Sequence, residues 1–315
     1  MAVLIIGSLR AEEFAGVAHE QARGLDIRVW PDVGRTEEIR YALAWWPPPG
    51  VLKTFPNLEL IVSVGAGVDH LMQDPELPDV PIVRYVDPDL TGRMAGYVAL
   101  HVLFHQRRMC EFRTLQAKRA WIPLPEPAAP EVRVGIMGLG VMGEASATAL
   151  KGFGFQLRGW SRTRKCLDSV ACFAGDEELD AFLAETDILA CVLPLTPATR
   201  GILNRRLIGK LSQHGRHARM PGPVLINAGR GGLQVEADIV SALDAGELYA
   251  ASLDVFESEP LPKSSPLWHH PRVVITPHNA AESSSQSIVR YLLRQIRAHR
   301  QGEPLKHLVD RARGY

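Results

Sequence analysis

The sequence carries no excess of charge of either sign. Its 35 Lys and Arg face 35 Asp and Glu, with a pI near 7.2, which excludes a broadly basic nucleic-acid binder and a solvated acidic tail. Cysteine is scarce: Cys110, Cys166, Cys172 and Cys191 form no C-x-x-C pair. That excludes a disulfide scaffold and suits free thiols in a reducing compartment. No run approaches the roughly 18 apolar residues a membrane span requires. The start, Met1-Ala2-Val3-Leu4-Ile5-Ile6-Gly7, lacks the basic lead of a signal peptide and reads as a buried strand. A cytoplasmic chain that binds neither membrane nor nucleic acid is expected. Metal ligands are sparse as well. His101 and His105 stand four apart on an apolar helical stretch, but the glutamate of H-E-x-x-H is missing, so no metal site is expected.

What the chain has is alternation. Its 315 residues suit about two domains. Short apolar runs at 3–7, 26–30, 43–46, 59–64 and 81–85 alternate with helix-length amphipathic segments, the pattern of βαβ units around a parallel sheet. One long helical stretch from Thr91 to Arg119 follows, then a connector, 121–130, with four prolines that no helix interior tolerates. A second α/β series has strands at 132–137, 156–160, 188–193, 224–227, 250–255 and 273–276, which fits a doubly wound nucleotide-binding sheet.

Gly138-Leu139-Gly140-Val141-Met142-Gly143 lies between the first strand of that series and a helix. There the first glycine permits a tight turn, the second lets backbone approach a pyrophosphate, and the third allows close packing of the helix. Dinucleotide binding is the reading. NAD would call for an acidic residue about 20 positions on, at the end of the next strand. Instead Ser161-Arg162-Thr163-Arg164-Lys165 stands there, a hydroxyl and cations suited to a 2′-phosphate. NADP is therefore expected, with NAD as the alternative. A solvated basic turn would explain the same residues.

Further motifs follow in order: Leu193-Pro194-Leu195-Thr196-Pro197-Ala198-Thr199-Arg200-Gly201, Ile226-Asn227-Ala228-Gly229-Arg230-Gly231-Gly232, Leu253-Asp254-Val255-Phe256-Glu257-Ser258-Glu259-Pro260, and Ile275-Thr276-Pro277-His278-Asn279-Ala280-Ala281. Together with the glycine loop they resemble the D-isomer-specific 2-hydroxyacid dehydrogenases. Trp45, the turn Gly65-Ala66-Gly67-Val68-Asp69, Ser161 to Lys165 and the tail 310–315 resemble the glyoxylate/hydroxypyruvate reductase branch of that family.

The resemblance implies a Rossmann-type cofactor domain, 99–286, inserted in a discontinuous flavodoxin-like substrate domain, 1–98 plus 287–315, with substrate in the cleft and a homodimeric assembly. It implies cofactor contacts from Gly138, Gly140, Val141, Met142, Gly143, Ser161, Arg162, Thr163, Arg164, Leu193, Pro194, Thr199, Ala228, Gly229 and Asp254. Trp45, Gly65, Ala66, Gly67, Arg230 and His278 would contact substrate. Three positions match the family's catalytic set. His278 would protonate the carbonyl oxygen as hydride arrives. Glu259 would hold the far ring nitrogen and favour the protonated imidazole, and Arg230 would pair with the substrate carboxylate.

The expected activity is NADPH-dependent reduction of glyoxylate to glycolate and of hydroxypyruvate to D-glycerate. A D-lactate or other D-2-hydroxyacid dehydrogenase, or a catalytically silent nucleotide-sensing module, would use the same framework. Asp254 has a second reading, as a strand-end carboxylate that caps a turn. The Gly65–Gly67 turn is either an anion cradle or a tight turn with glycines at positive φ. The segment 213–223 is longer and more basic than the family's usual turn. Asn279 replaces an apolar residue, and Gly96 stands where related chains often carry an acid.

Overall fold

The computed structural model describes residues 1–7 and 10–315. The chain forms two units, residues 1–90 with 283–315, and residues 91–282. The crossings fall at 90/91 and 282/283, a few residues before the 98/99 and 286/287 expected from sequence.

In the first unit the strands are β1 (Ala2–Ile6), β2 (Asp26–Val29), β3 (Ile39–Ala44), β4 (Leu60–Ser63) and β5 (Ile82–Val83). All pair in parallel in the order β2-β1-β3-β4-β5, the flavodoxin-like arrangement. Every residue of β1 is buried, as a parallel strand with both faces covered requires. The sequence placed β3 at 43–46. It begins earlier, at Ile39, and ends before Trp45. Helix α1 (Ala11–Gln21) lies beside the last helix of the chain, and a short α2 (Asp69–Met72) follows β4.

Helix α3 (Pro88–Gln106) runs from the first unit into the second, and α4 (Met109–Ala117) follows. The single helix expected over 91–119 is therefore two. Arg108 turns the chain with φ 58°, and its guanidinium is held by Glu111 and the Pro125 carbonyl. The connector 121–128 has no helix or strand, as its prolines dictate.

The second unit contains β6 (Arg133–Met137), α5 (Val141–Lys151), β7 (Gln156–Ser161), β8 (Val170–Ala174), α6 (Leu179–Ala184), β9 (Ile188–Cys191), α7 (Arg205–Ile208), β10 (Val224–Asn227), α8 (Glu236–Asp244), β11 (Ala250–Leu253) and β12 (Val273–Ile275). Its sheet is parallel throughout in the order β12-β11-β10-β9-β6-β7-β8, a Rossmann order with one further strand that reverses between β6 and β9. The sequence pattern predicts six strands here. It misses β8, a half-exposed edge strand with no continuous buried face. Apolar layers cover both faces, Val134, Ile136, Ile188 and Ile226 on one, Met137, Leu189, Leu225 and Leu253 on the other.

The basic segment 213–223 precedes β10, at the N-terminal edge of the sheet. Beneath it the buried Asp187 pairs with Arg133 at 2.6 Å and accepts from Ser212 Oγ at 2.6 Å. Helix α9 (Ser285–Arg300) returns to the first unit. Ser284 caps it by accepting from the Ser287 N–H, and Ile288, Leu292 and Ile296 are buried at helical spacing.

Candidate active site

Parallel strands bring their C-terminal ends to one edge of a sheet, and the motifs all follow such ends. The glycine loop follows β6, Ser161 closes β7, Leu193 to Thr199 follow β9, Ala228 to Arg230 follow β10, Asp254 to Glu259 follow β11, and Thr276 to His278 follow β12. In an open α/β sheet this edge, beside the reversal of strand order, is where ligands bind.

The glycine loop fits a dinucleotide. Gly138 turns the chain at φ 114°, and Gly140 stands at the N-terminus of α5 where a Cβ would meet nothing within 4 Å, leaving open space for an approaching phosphate. At Gly143 a Cβ would lie 2.0 Å from the Gly138 carbonyl oxygen, so only glycine lets the helix sit this close to its strand. Leu193 is buried, and Thr199 shapes its loop by donating to the Pro194 carbonyl at 2.8 Å and accepting from the Thr196 N–H at 2.8 Å.

The cationic cluster expected beside this loop is divided. Arg164 pairs with Glu178 and donates to the Cys172 carbonyl, and Lys165 is 3.9 Å from Glu144; outside the cluster, Arg158 within β7 pairs with Glu185 at 2.9 Å. Ser161 Oγ donates to the Thr163 carbonyl at 2.8 Å, closing the turn that carries Arg162 just past the end of β7.

His278 and Glu259 meet. Nδ1 of the imidazole is 2.7 Å from Glu259 Oε2, and Oε1 accepts from the Phe256 N–H at 3.0 Å. Burial raises the Glu259 carboxyl pKa, but the bonds from His278 and Phe256 and the nearby charges of His278 and Arg230 outweigh it, so the group sits below the ordinary range. Arg230 donates through Nη1 to the Gly229 carbonyl at 3.0 Å. Its loop is fixed from below by Asn227, which donates to the Arg230 carbonyl at 3.2 Å and to Gln234 at 2.8 Å and accepts from the Gly229 N–H at 3.1 Å.

Asp254 takes its capping role. Its buried carboxylate accepts from Thr276 Oγ1 at 2.6 Å and from the N–H groups of Asn279 and Ala280 at 3.0 Å each. The backbone at Asn279 thus serves the turn, while its side chain is exposed.

In the first unit Trp45 follows β3, with its ring 4.5 Å from that of His70. A Cβ on Gly65 would lie 2.7 Å from the indole, so this glycine is required by the packing of Trp45 rather than by a positive φ.

Comparison with known proteins decides the family. The model of the D-isomer specific 2-hydroxyacid dehydrogenase NAD-binding domain matches residues 99–280. The chain belongs to this family. A solved D-isomer specific 2-hydroxyacid dehydrogenase from Xanthobacter autotrophicus Py2, in complex with NADPH and MES, is 39% identical over 100% of this chain and 99% of its own, with a TM-score of 0.94. The NADPH-dependent glyoxylate/hydroxypyruvate reductase of Sinorhizobium meliloti, solved with NADP and sulfate, is 41% identical over 100% of both chains, with a TM-score of 0.92. A probable 2-hydroxyacid dehydrogenase of Rhizobium etli CFN 42, in complex with NADP, HEPES and L(+)-tartaric acid, is 44% identical over 100% and 99%, with a TM-score of 0.93.

As a 2-hydroxyacid dehydrogenase the chain is a nicotinamide-dependent oxidoreductase, and its Rossmann unit is the NAD-binding domain. The sequence pattern gives Asn227 and Gln234 no role; an Asn and a Gln on either side of the glycine-rich turn were the available signal. Among the described residues no group of three or more His, Cys, Asp or Glu is placed to hold a metal. His105 Nε2 lies 2.8 Å from Ser252 Oγ, and burial pushes the His101 and His105 imidazoles down to about 4 and about 3. Among the described residues no helix is long and apolar enough to cross a membrane.

Proposed function

We propose that this dehydrogenase reduces small 2-oxo acids with NADPH, glyoxylate to glycolate and hydroxypyruvate to D-glycerate. The observation that carries the reading is the 2.7 Å pair of His278 and Glu259 beside Arg230, on the same sheet edge as the glycine loop. The cofactor would be held by Gly138 to Gly143, by Leu193, Pro194 and Thr199, and by Ala228 and Gly229, with Ser161 to Arg164 toward its 2′-phosphate. When bound there, NADPH supplies a hydride to the carbonyl carbon.

The chain's own residues supply the rest. His278 gives the proton from Nε2 to the carbonyl oxygen, while Glu259 fixes the imidazole through Nδ1 and stabilises its positive charge. Arg230 pairs with the substrate carboxylate and draws electron density from the adjacent carbonyl. Trp45, Gly65, Ala66 and Gly67 are assigned to substrate contact by family resemblance. The preference for NADPH rests on the lack of a carboxylate at Ser161 and on the NADP named for the Sinorhizobium and Rhizobium relatives. The substrates rest on the former's name.

The test is nicotinamide absorbance with glyoxylate, hydroxypyruvate, pyruvate and 3-phosphohydroxypyruvate under NADPH and NADH. Highest kcat/KM for the first two with NADPH is expected. Preference for pyruvate would make it a D-lactate dehydrogenase, and no turnover with any 2-oxo acid would leave a nucleotide-binding module. Replacing His278 with Ala should lower kcat about 10² to 10⁴-fold with NADPH affinity nearly intact; an unchanged kcat sinks its role.

A further inference from the structure

His278 occupies a backbone conformation that few side chains adopt, with φ 52°. Glu259 fixes its ring, but the backbone must be held by something else, and the holding group is Asp254. The His278 N–H donates to the Asp254 carbonyl at 2.7 Å, and the next two N–H groups, of Asn279 and Ala280, donate to its carboxylate. That carboxylate also accepts from Thr276 Oγ1. Since Thr276 has one hydroxyl proton and spends it on Asp254, its oxygen is left to accept. Tyr97 OH lies 2.9 Å away, so the phenol is the donor. A directed chain results, Tyr97 to Thr276 to Asp254, and it ends on the turn that presents His278.

We propose that Tyr97, on α3, is a positioning residue for His278, acting through Thr276 and Asp254. The proposal rests on the reading of His278 as the proton donor. Three features support it. Tyr97 is held in place, with its ring 4.2 Å from that of His101 and α3 anchored one turn beyond by His105 on Ser252. Burial keeps the phenol in its protonated, donating form. Removing the hydroxyl would leave the Thr276 oxygen with an unmet acceptor in a part-buried site, free to rotate away from Asp254 and loosen the strained turn.

Tyr97→Phe removes one oxygen and keeps the ring. The expected result is a kcat about fivefold lower, the effect of one neutral hydrogen bond, with NADPH affinity by fluorescence titration within about twofold of wild type. Amide hydrogen exchange at Asn279 and Ala280 should accelerate in the same variant. Thr276→Val should lose as much, Thr276→Ser should recover most of that loss, and the double variant Tyr97→Phe/Thr276→Val should be no slower than Thr276→Val alone. A kcat within twofold of wild type with unchanged exchange overturns the proposal, as do losses that multiply in the double variant. If wild type itself turns over no 2-oxo acid, the functional reading fails, while exchange at Asn279 and Ala280 still decides whether Tyr97 holds the turn.

Discussion

Glu259 and His278 form a pair in which the imidazole helps to hold the carboxylate ionised. Burial works against the carboxylate, yet the bonds from His278 and the Phe256 N–H leave Glu259 below its ordinary pKa. Glu259→Gln keeps the shape and can still accept from Phe256, but it removes the negative charge. In the reductive direction kcat should fall about 10-fold or more, because the negative charge that faces the imidazole is gone. A kcat within about twofold of wild type would show that Glu259 only orients the ring. Cofactor choice is decided at a separate pair of residues. Ser161→Asp with Arg162→Ala sets a carboxylate against the 2′-phosphate and removes a guanidinium next to it. The ratio of kcat/KM for NADPH over NADH should drop at least about tenfold. An unchanged ratio would put phosphate recognition elsewhere.

At the scale of elements, the join of β6 to α5 shows how one motif serves packing and binding through different glycines. Gly143 is constrained by the protein, since a Cβ there would lie 2.0 Å from the Gly138 oxygen; Gly140 has only open space around it. Gly143→Ala should therefore lower Tm and weaken NADPH together, whereas Gly140→Ala should melt as wild type does while its NADPH Kd rises. Melting curves and fluorescence titrations of both apo variants separate the two roles, and equal loss of Tm would refute the division. The same contrast explains how much the sequence makes legible. The glycine loop can be read from its place between strand and helix, and family resemblance names Arg230, Glu259 and His278; that all of them share one edge follows from the parallel sheet. Strand β8 has no such signature, being half exposed at an edge. The break between α3 and α4 at Arg108 involves neither glycine nor proline, only a guanidinium held by Glu111 and the Pro125 carbonyl. The partnership of Tyr97 with Thr276 spans 179 positions, a distance at which no spacing rule operates.

For the whole molecule, formal neutrality at pH 7 has a consequence for acid stability. Net-charge repulsion is least there, and exposed carboxylates begin to titrate only below about pH 5, so the window from pH 6.5 to 5 belongs to histidines. His101 and His105 are 4% and 2% exposed. Burial holds both neutral in the fold, with pKa values of about 4 and about 3; the unfolded chain binds protons on each near pH 6.5. Their folded pKa values are depressed, so the unfolded state takes up more protons as pH falls, and stability is lost from about pH 6.5 downward. Partly buried His270 and His307 are shifted the same way by burial first and nearby cations second. The upper limit is about 1.4 kcal/mol per pH unit for each fully buried imidazole, a large share of the 5 to 15 kcal/mol typical of a domain. Tm should thus fall between pH 7 and pH 5, well before carboxylate titration. His101→Phe keeps an aromatic ring against Tyr97 and Phe104 but has no proton to take up, so its loss of Tm over that interval should be visibly smaller than that of wild type. Equal losses in the two proteins would mean that His101 does not contribute to the acid sensitivity.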